Sequence, residues 1–146
     1  PGDFIKFVEN LDFYLQQELQ FIDNKNYNYP VGILKDIQIH FMHYKNKEDA
    51  KLQWEKRCKR INRKNIFIMM TDRDGCSEDM IRRFDELPYK NKVIFTNKEY
   101  KQFPSTFHIE GFDDQASVGH LFKFQNTFGK KYFDNFNYVK WFNNKL

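Results

Sequence analysis

The stretch "NIFIMMTDRDGCSEDMIRRF", Asn65 to Phe84, decides how the chain is read. Ile66 to Met70 form an uninterrupted apolar run of strand length, and Thr71-Asp72-Arg73-Asp74-Gly75 then ends it with turn chemistry. Ser77 is a good helix N-cap, and Met80, Ile81, Phe84 and Leu87 follow at helical spacing until Pro88 stops the run. The passage therefore predicts a strand that turns through two aspartates into a helix.

The flanking segments repeat the alternation. Upstream, "KDIQIHFMHY" sets Ile37, Ile39 and Phe41 against Asp36, Gln38 and His40, which is strand periodicity. Asn46, Glu48 and Asp49 suit a helix start, and Ala50, Trp54, Cys58 and Ile61 continue at helical spacing to about Ile61 while basic residues crowd the end. Downstream, "KVIFTN" is a short apolar strand and "STFHIEGF" a fourth. At the front, Phe4, Phe7, Val8, Leu11 and Leu15 keep helical spacing behind Asp3, an N-cap candidate, and a polar, turn-rich segment covers Asn24 to Pro30. Asp113 to Leu146 reads as mainly helical.

Strand, helix, strand, helix, strand with short connections implies an α/β fold. The expectation is a three-layer α/β/α arrangement around a mostly parallel sheet with crossover helices, a helical C-terminus, and the Ile66–Met70 run at its centre. The chain has 146 residues, one domain by length. Its formal charge of +4 comes with abundant Lys, Asn, Phe, Tyr and Ile together, an AT-rich coding signature, so the basicity alone names no partner. No nucleic-acid-binding motif stands beside it, and no nucleic-acid polymer is expected. Cys58 and Cys76 show neither disulfide nor zinc spacing, so a reducing cytoplasm is the default. No run approaches the roughly 18 apolar residues of a membrane span.

In a parallel sheet, ligands bind outside the carboxyl ends of the strands. The ends "HFMHYKN", "MMTDRDGC" and "IFTNKEY" would place His43, Tyr44, Thr71, Asp72, Arg73, Asp74, Thr96, Asn97 and Lys98 along one edge, with Ser77 beside them at a helix N-terminus that favours an anion. Asp72 and Asp74 are candidate catalytic residues and candidate ligands for Mg²⁺ or Mn²⁺, a metal that can bridge to a diphosphate. Thr71, Arg73, Ser77, Thr96, Asn97 and Lys98 are candidate phosphate or ligand contacts. His43 is the candidate base near neutral pH. The same letters fit a structural turn capped by Asp72, or a phosphatase loop with Asp72 as nucleophile and Asp74 as acid/base. Asp113-Asp114 reads more simply as a turn than as late metal carboxylates.

The remaining features carry a bland and a sharp reading each. "KRCKRINRK" is a solvated helix end or a contact for lipid headgroups or a partner; as the end of a crossover helix it would lie at the sheet edge opposite Asp72. His40, His108 and His120 read as structural. Cys58 reads as a small core hydrophobe, whereas Cys76 sits where a helix N-terminus would lower its thiol pKa. Tyr132, Phe133, Phe136, Val139 and Trp141 form either a core-docked helix or a membrane- or partner-facing one.

The long string from "IQIHFMHYKNKEDAKLQWEKRCKRIN" through "TDRDGCSEDMIRRF" and "LPYKNKVIFTNKEY", with the closing "GKKYFDNFNYVKWFN", resembles the bacterial DUF 1919 family over nearly the whole chain. The resemblance implies an α/β domain and a link to exopolysaccharide or capsule production. Together with the Asp-x-Asp reading it leads to the expectation of a glycosyltransferase-like or other sugar-nucleotide-handling enzyme with a sugar nucleotide or glycan as substrate, the alternative being a non-enzymatic adaptor of the polysaccharide machinery. A polysaccharide-assembly protein or the inner membrane face would be the expected contact. It also implies that this chain lacks a segment that members carry before "DFIKF". It carries over no catalytic residues.

Overall fold

The computed structural model describes residues 1–143, and the chain divides by its contacts into two compact units, Asp3–Lys64 and Pro1–Gly2 with Asn65–Leu146. The architecture is mixed α/β built on two small sheets, one antiparallel and one parallel. Among the described residues the expected three-layer arrangement around one mostly parallel sheet is not formed, because the strand Ile37–His40 pairs in the antiparallel sheet and leaves three parallel strands in the other.

Unit Asp3–Lys64 holds most of α1 (Gly2–Glu9), α2 (Leu11–Leu15), β1 (Leu19–Ile22), β2 (Val31–Leu34), β3 (Ile37–His40) and α3 (Lys47–Cys58). The single helix expected over Phe4 to Leu15 breaks at Asn10, whose φ of −127° and ψ of 44° leave the helical region. Asp3 caps nothing; it lies inside α1 and its carboxylate accepts the Gln38 backbone N–H at 2.9 Å. The buried positions of the two helices are Ile5, Val8 and Tyr14, while Phe4 faces solvent in part.

Strand β3 exists as its alternation predicts, with Ile37 buried and Gln38 and His40 exposed. Its partner differs from the expectation. β2 pairs with β3 antiparallel through the two-residue turn Lys35-Asp36, and β1 pairs with the far side of β2. The short runs "LQFI" and "VGIL" flanking the polar Asn24–Pro30 segment are these two strands. Because β3 belongs to this meander, α3 joins two different sheets and is not a crossover within one. The basic end of α3 is therefore not fixed at the sheet edge opposite Asp72.

The turn has a physical cost. Lys35 adopts φ 63°, the left-handed region that suits glycine. The register is nevertheless fixed by Asp36, which accepts from Tyr14 Oη at 2.8 Å and Lys6 Nζ at 2.5 Å. Tyr14, Leu19, Leu34, Ile37, Phe41 and Ala50 form the core of this unit, with Phe7 and Trp54 packed on it. Helix α3 starts as read, its Asn46 side chain accepting the Asp49 N–H.

The second unit carries β4 (Phe67–Thr71), α4 (Glu78–Asp85), β5 (Asn91–Thr96) and β6 (Thr106–His108), all three strands parallel in the order β4-β5-β6. Ser77 caps α4 by accepting the Met80 N–H. The apolar run of β4 forms the edge of the described sheet, not its centre. Only Ile68 of it is buried, whereas Val93 to Thr96 of the central β5 are buried throughout. Val93 and Phe95 face a cluster with Ile109, Phe112, Val118, Leu121, Phe136 and Trp141. Ile94, alternating with them, turns to the opposite face.

The segment from Asp113 is not mainly helical. It runs through turns and a bridge between Phe124 and Lys131 to a 3₁₀ turn, Tyr132–Asn135, and the short α5 (Tyr138–Phe142). Its aromatics fill the core one by one: Phe136 meets Phe95 at 5.3 Å and Trp141 meets Phe67 at 5.1 Å between ring centroids. An aromatic-rich segment had no need of helical periodicity to be buried. Residues 144–146 of that expectation lie outside the described residues.

Relieving the left-handed strain tests the meander. Lys35→Gly is expected to stabilise the chain by up to about 1 kcal/mol in urea denaturation, the strain relieved exceeding the chain entropy added. An unchanged or lower midpoint would contradict a strained turn at that position.

Candidate functional site

Strand β4 delivers Thr71 and Asp72 to the carboxyl edge of the parallel sheet, and the Asp72 N–H extends the ladder to the Phe95 carbonyl at 3.0 Å. The Asp72 side chain turns inward and is 5% exposed. One carboxylate oxygen accepts the Asn97 backbone N–H at 2.7 Å and the other accepts the Val118 backbone N–H at 2.8 Å. A single carboxylate thus ties the end of β4 to the end of β5 and to a loop 46 positions later.

The neighbouring candidates serve the same construction. Thr96 is fully buried, and its hydroxyl donates to the Lys98 carbonyl at 2.7 Å. Asn97 is buried, with its side-chain amide donating to the Gln115 carbonyl at 2.5 Å. These two residues hold the rim. Arg73 is half-buried, while Asp74, Ser77 and Lys98 are exposed on it. Asp74 adopts φ 60° and Gly75 φ 77°, two successive left-handed residues that reverse the chain into α4.

Asp72 and Asp74 consequently sit in different environments, one spent on backbone donors and one in solvent. A phosphoryl-attacking nucleophile needs a carboxylate oxygen directed at substrate, and both oxygens of Asp72 point at amides. Among the described residues, no group of three or more His, Cys, Asp and Glu side chains is arranged to hold a metal ion. Asp74 remains the exposed carboxylate to which a divalent ion bridged by phosphate would add.

Burial pushes the Asp72 carboxyl above its ordinary range, against the downward pull of the Asn97 and Val118 hydrogen bonds. Burial, and then the nearby Asp72 charge, push the Cys76 thiol up, opposite to the direction expected beside a helix N-terminus. Tyr100 is pushed up by burial and then by the Glu78 and Asp72 charges. Gln102 reaches Glu78 at 3.3 Å. Tyr100, Gln102 and Glu78 are rim residues that sequence reasoning missed, because the loop after β5 carries no motif.

His43 falls elsewhere. It is exposed in the turn after β3, in the other unit, and the edge rule that selected it applies to a parallel sheet that β3 does not join. Tyr44 packs on Phe41 in that unit's core. Among the described strands, the order β4-β5-β6 runs without reversal, so the rim has no topological switch point. His108 Nε2 lies 2.9 Å from Asp113 Oδ1, a structural pairing at the end of β6, and His40 packs edge-on against Tyr27. His120 is exposed outside any helix.

Each unit also carries an open cavity lined by residues other than Asp72. One of about 470 Å³ in unit Asp3–Lys64 is lined by Trp54, Cys58, Lys51, Lys59 and Arg63, so part of the basic run borders a groove. Cys58 is held neutral there by burial. Another, of about 300 Å³, opens at the amino edge of the parallel sheet between Lys90, Lys92 and Trp141.

The Asp72 bonds make a double prediction. A carboxyl with a raised folded-state pKa binds its proton more tightly folded than unfolded, so its contribution is fullest below the ordinary Asp pKa and is lost as pH rises through the raised value. Asp72→Asn should remove that slope from urea-unfolding stability across the acidic range. It also sets an amide NH₂ against a backbone N–H, at a cost of about 1–3 kcal/mol. Stability equal to wild type at neutral pH would show that the carboxylate does not hold the rim.

Comparison with known proteins places the chain. Residues 1–143 match the family described as a domain of unknown function, DUF1919. A relative from Haemophilus influenzae, named "Uncharacterized protein", is 52% identical over 143 residues, covering 98% of this chain and 69% of the relative. Among the described residues, no helix is long and apolar enough to cross a membrane. On the extent of that match and that identity, the chain belongs to the DUF1919 family.

Proposed function

We propose that the protein acts in bacterial surface-polysaccharide assembly, on the cytoplasmic side, and that the rim of its parallel sheet takes the diphosphate of a sugar nucleotide. The observation that carries the reading is the Asp72 carboxylate, which fixes the ends of β4 and β5 and the Val118 loop into one preformed edge. Preformed edges of this kind are where parallel sheets bind ligands. Within it Asp72 and Asn97 position the loops. Arg73 and Lys98 supply positive charge, the N-terminus of α4 behind Ser77 offers backbone donors, and Asp74 joins a Mg²⁺ or Mn²⁺ ion carried in with the diphosphate. A glycosyl- or other group-transfer reaction is the activity that fits such a ligand.

A second reading is an interaction protein of the same machinery. The largely exposed Phe122, Phe124 and Phe128 favour it.

Isothermal titration of the full chain with a panel of nucleotide sugars, with and without Mn²⁺ or Mg²⁺, separates the two. The first reading expects binding that weakens about tenfold in Arg73→Ala and in Lys98→Ala, the loss of one charge-assisted contact each. No binding across the panel, with both variants silent in polymer production, would sink it and leave the interaction protein.

A further inference from the structure

The segment Leu121 to Phe133, "LFKFQNTFGKKYF", folds back on itself as a short ribbon around a single β-bridge, Phe124 to Lys131. The Tyr132 N–H bonds to the Lys123 carbonyl at 3.3 Å, the Phe133 N–H to the Leu121 carbonyl at 2.8 Å, and the Gln125 N–H to the Lys130 carbonyl at 2.7 Å. Its tip is held by Asn126, whose side-chain oxygen accepts the N–H groups of Phe128 and Lys130 at 3.1 and 3.2 Å. Gly129 completes the reversal at φ 84°. A turn with those bonds presents a fixed shape.

What it presents is aromatic. Phe128 at the tip is 95% exposed, and Phe122 and Phe124 are 70% and 66% exposed. Phe122 stacks on Phe133 at 5.0 Å and Phe124 lies beneath Lys131 Nζ at 5.6 Å, so both occupy one face of the ribbon. The opposite face carries Tyr132, packed on Phe112 in the core. The ribbon is anchored on that face through Tyr132 and on the other through Phe133, which stacks on Tyr138 at 3.8 Å, while Phe122, Phe124 and Phe128 stay largely exposed.

Its charge is of one sign. From residue 116 to residue 133 the chain contains Lys123, Lys130 and Lys131 and no Asp or Glu. The nearest acid, Asp134, accepts the Lys131 backbone N–H at 2.8 Å. Three exposed phenylalanines collared by three lysines match a surface with anionic headgroups above an apolar layer.

We infer that this ribbon is an interfacial anchor that inserts Phe128, with Phe122 and Phe124 beside it, into the headgroup boundary of an anionic phospholipid bilayer while Lys123, Lys130 and Lys131 pair with the phosphates. A projecting aromatic tip enters a fluid layer directly, whereas a folded partner would need a cavity shaped to admit it. The inference is independent of the sugar-nucleotide reading, because no rim residue takes part.

Flotation of the full chain with phosphatidylcholine vesicles, with and without about 30% phosphatidylglycerol, tests it. The expected result is binding to the anionic vesicles that falls about tenfold in Phe128→Ser and on the order of twentyfold in the Lys130→Gln/Lys131→Gln double variant. Circular dichroism should show both variants folded, since the altered side chains are outside the core. Three results would overturn the inference: no flotation with anionic vesicles, flotation indifferent to Phe128→Ser, or binding to soluble polyglutamate in place of vesicles. The last would mark the ribbon as a site for an acidic peptide.

Discussion

The second unit depends on a buried carboxylate bonded to two amides. Asp72 lies where β4 ends, and without it the ends of β5 and of the Val118 loop would carry N–H groups buried away from water. An unmet buried donor costs more than a made bond gains, so such a carboxylate constrains chiefly by what its absence would expose. Thr96 and Asn97 extend the same construction, Thr96 by donating to the Lys98 carbonyl of its own loop and Asn97 by donating to the Gln115 carbonyl ahead of Val118. The result is an edge whose shape is set by backbone groups from three parts of the chain. Each exposed residue on it inherits its position from them.

The sequence pattern carries information wherever the cause is local. The alternation of Ile37 and Ile39, the caps at Asn46 and Ser77, the stop at Pro88 and the strand after Lys92 all follow from neighbours within a turn or two, and all are found. Pairing is another matter. Nothing in "IQIHF" tells a parallel partner from an antiparallel one; the decision lay in "VGILKDIQI", where two apolar runs flank a two-residue Lys-Asp turn that lacks glycine. β4 misleads for a related reason: an apolar run is compatible with a central strand, but its own composition cannot supply a second neighbour.

The site shows the same limit. Asp72 stands out in the sequence and occupies the edge the topology assigns, yet its partners are backbone amides whose residue types carry no signal. Val118 is a core aliphatic by composition, and only the fold makes its N–H part of the rim. The Cys76 thiol shifts upward, against its expected direction, through burial and the charge of Asp72, neither of which shows in the local sequence. The aromatic C-terminal segment was legible as hydrophobic and illegible as shape, since its rings enter the core from loops, a 3₁₀ turn and the short α5 in succession, with no single periodicity.

The two sheets differ in how far apart along the chain their partners stand. In the antiparallel meander, each strand meets the next within a short stretch, and β1, β2 and β3 are complete by His40. The parallel unit is different, since Asp72 waits for Val118 and Phe67 for Trp141. On a ribosome, where the chain emerges from its amino end, the first unit has all its strand partners while the second is still an open strand and helix. Until Val118 is made, the Asp72 carboxylate has one of its two amides missing, and the half-formed sheet exposes the apolar face of β5 that the C-terminal aromatics later cover.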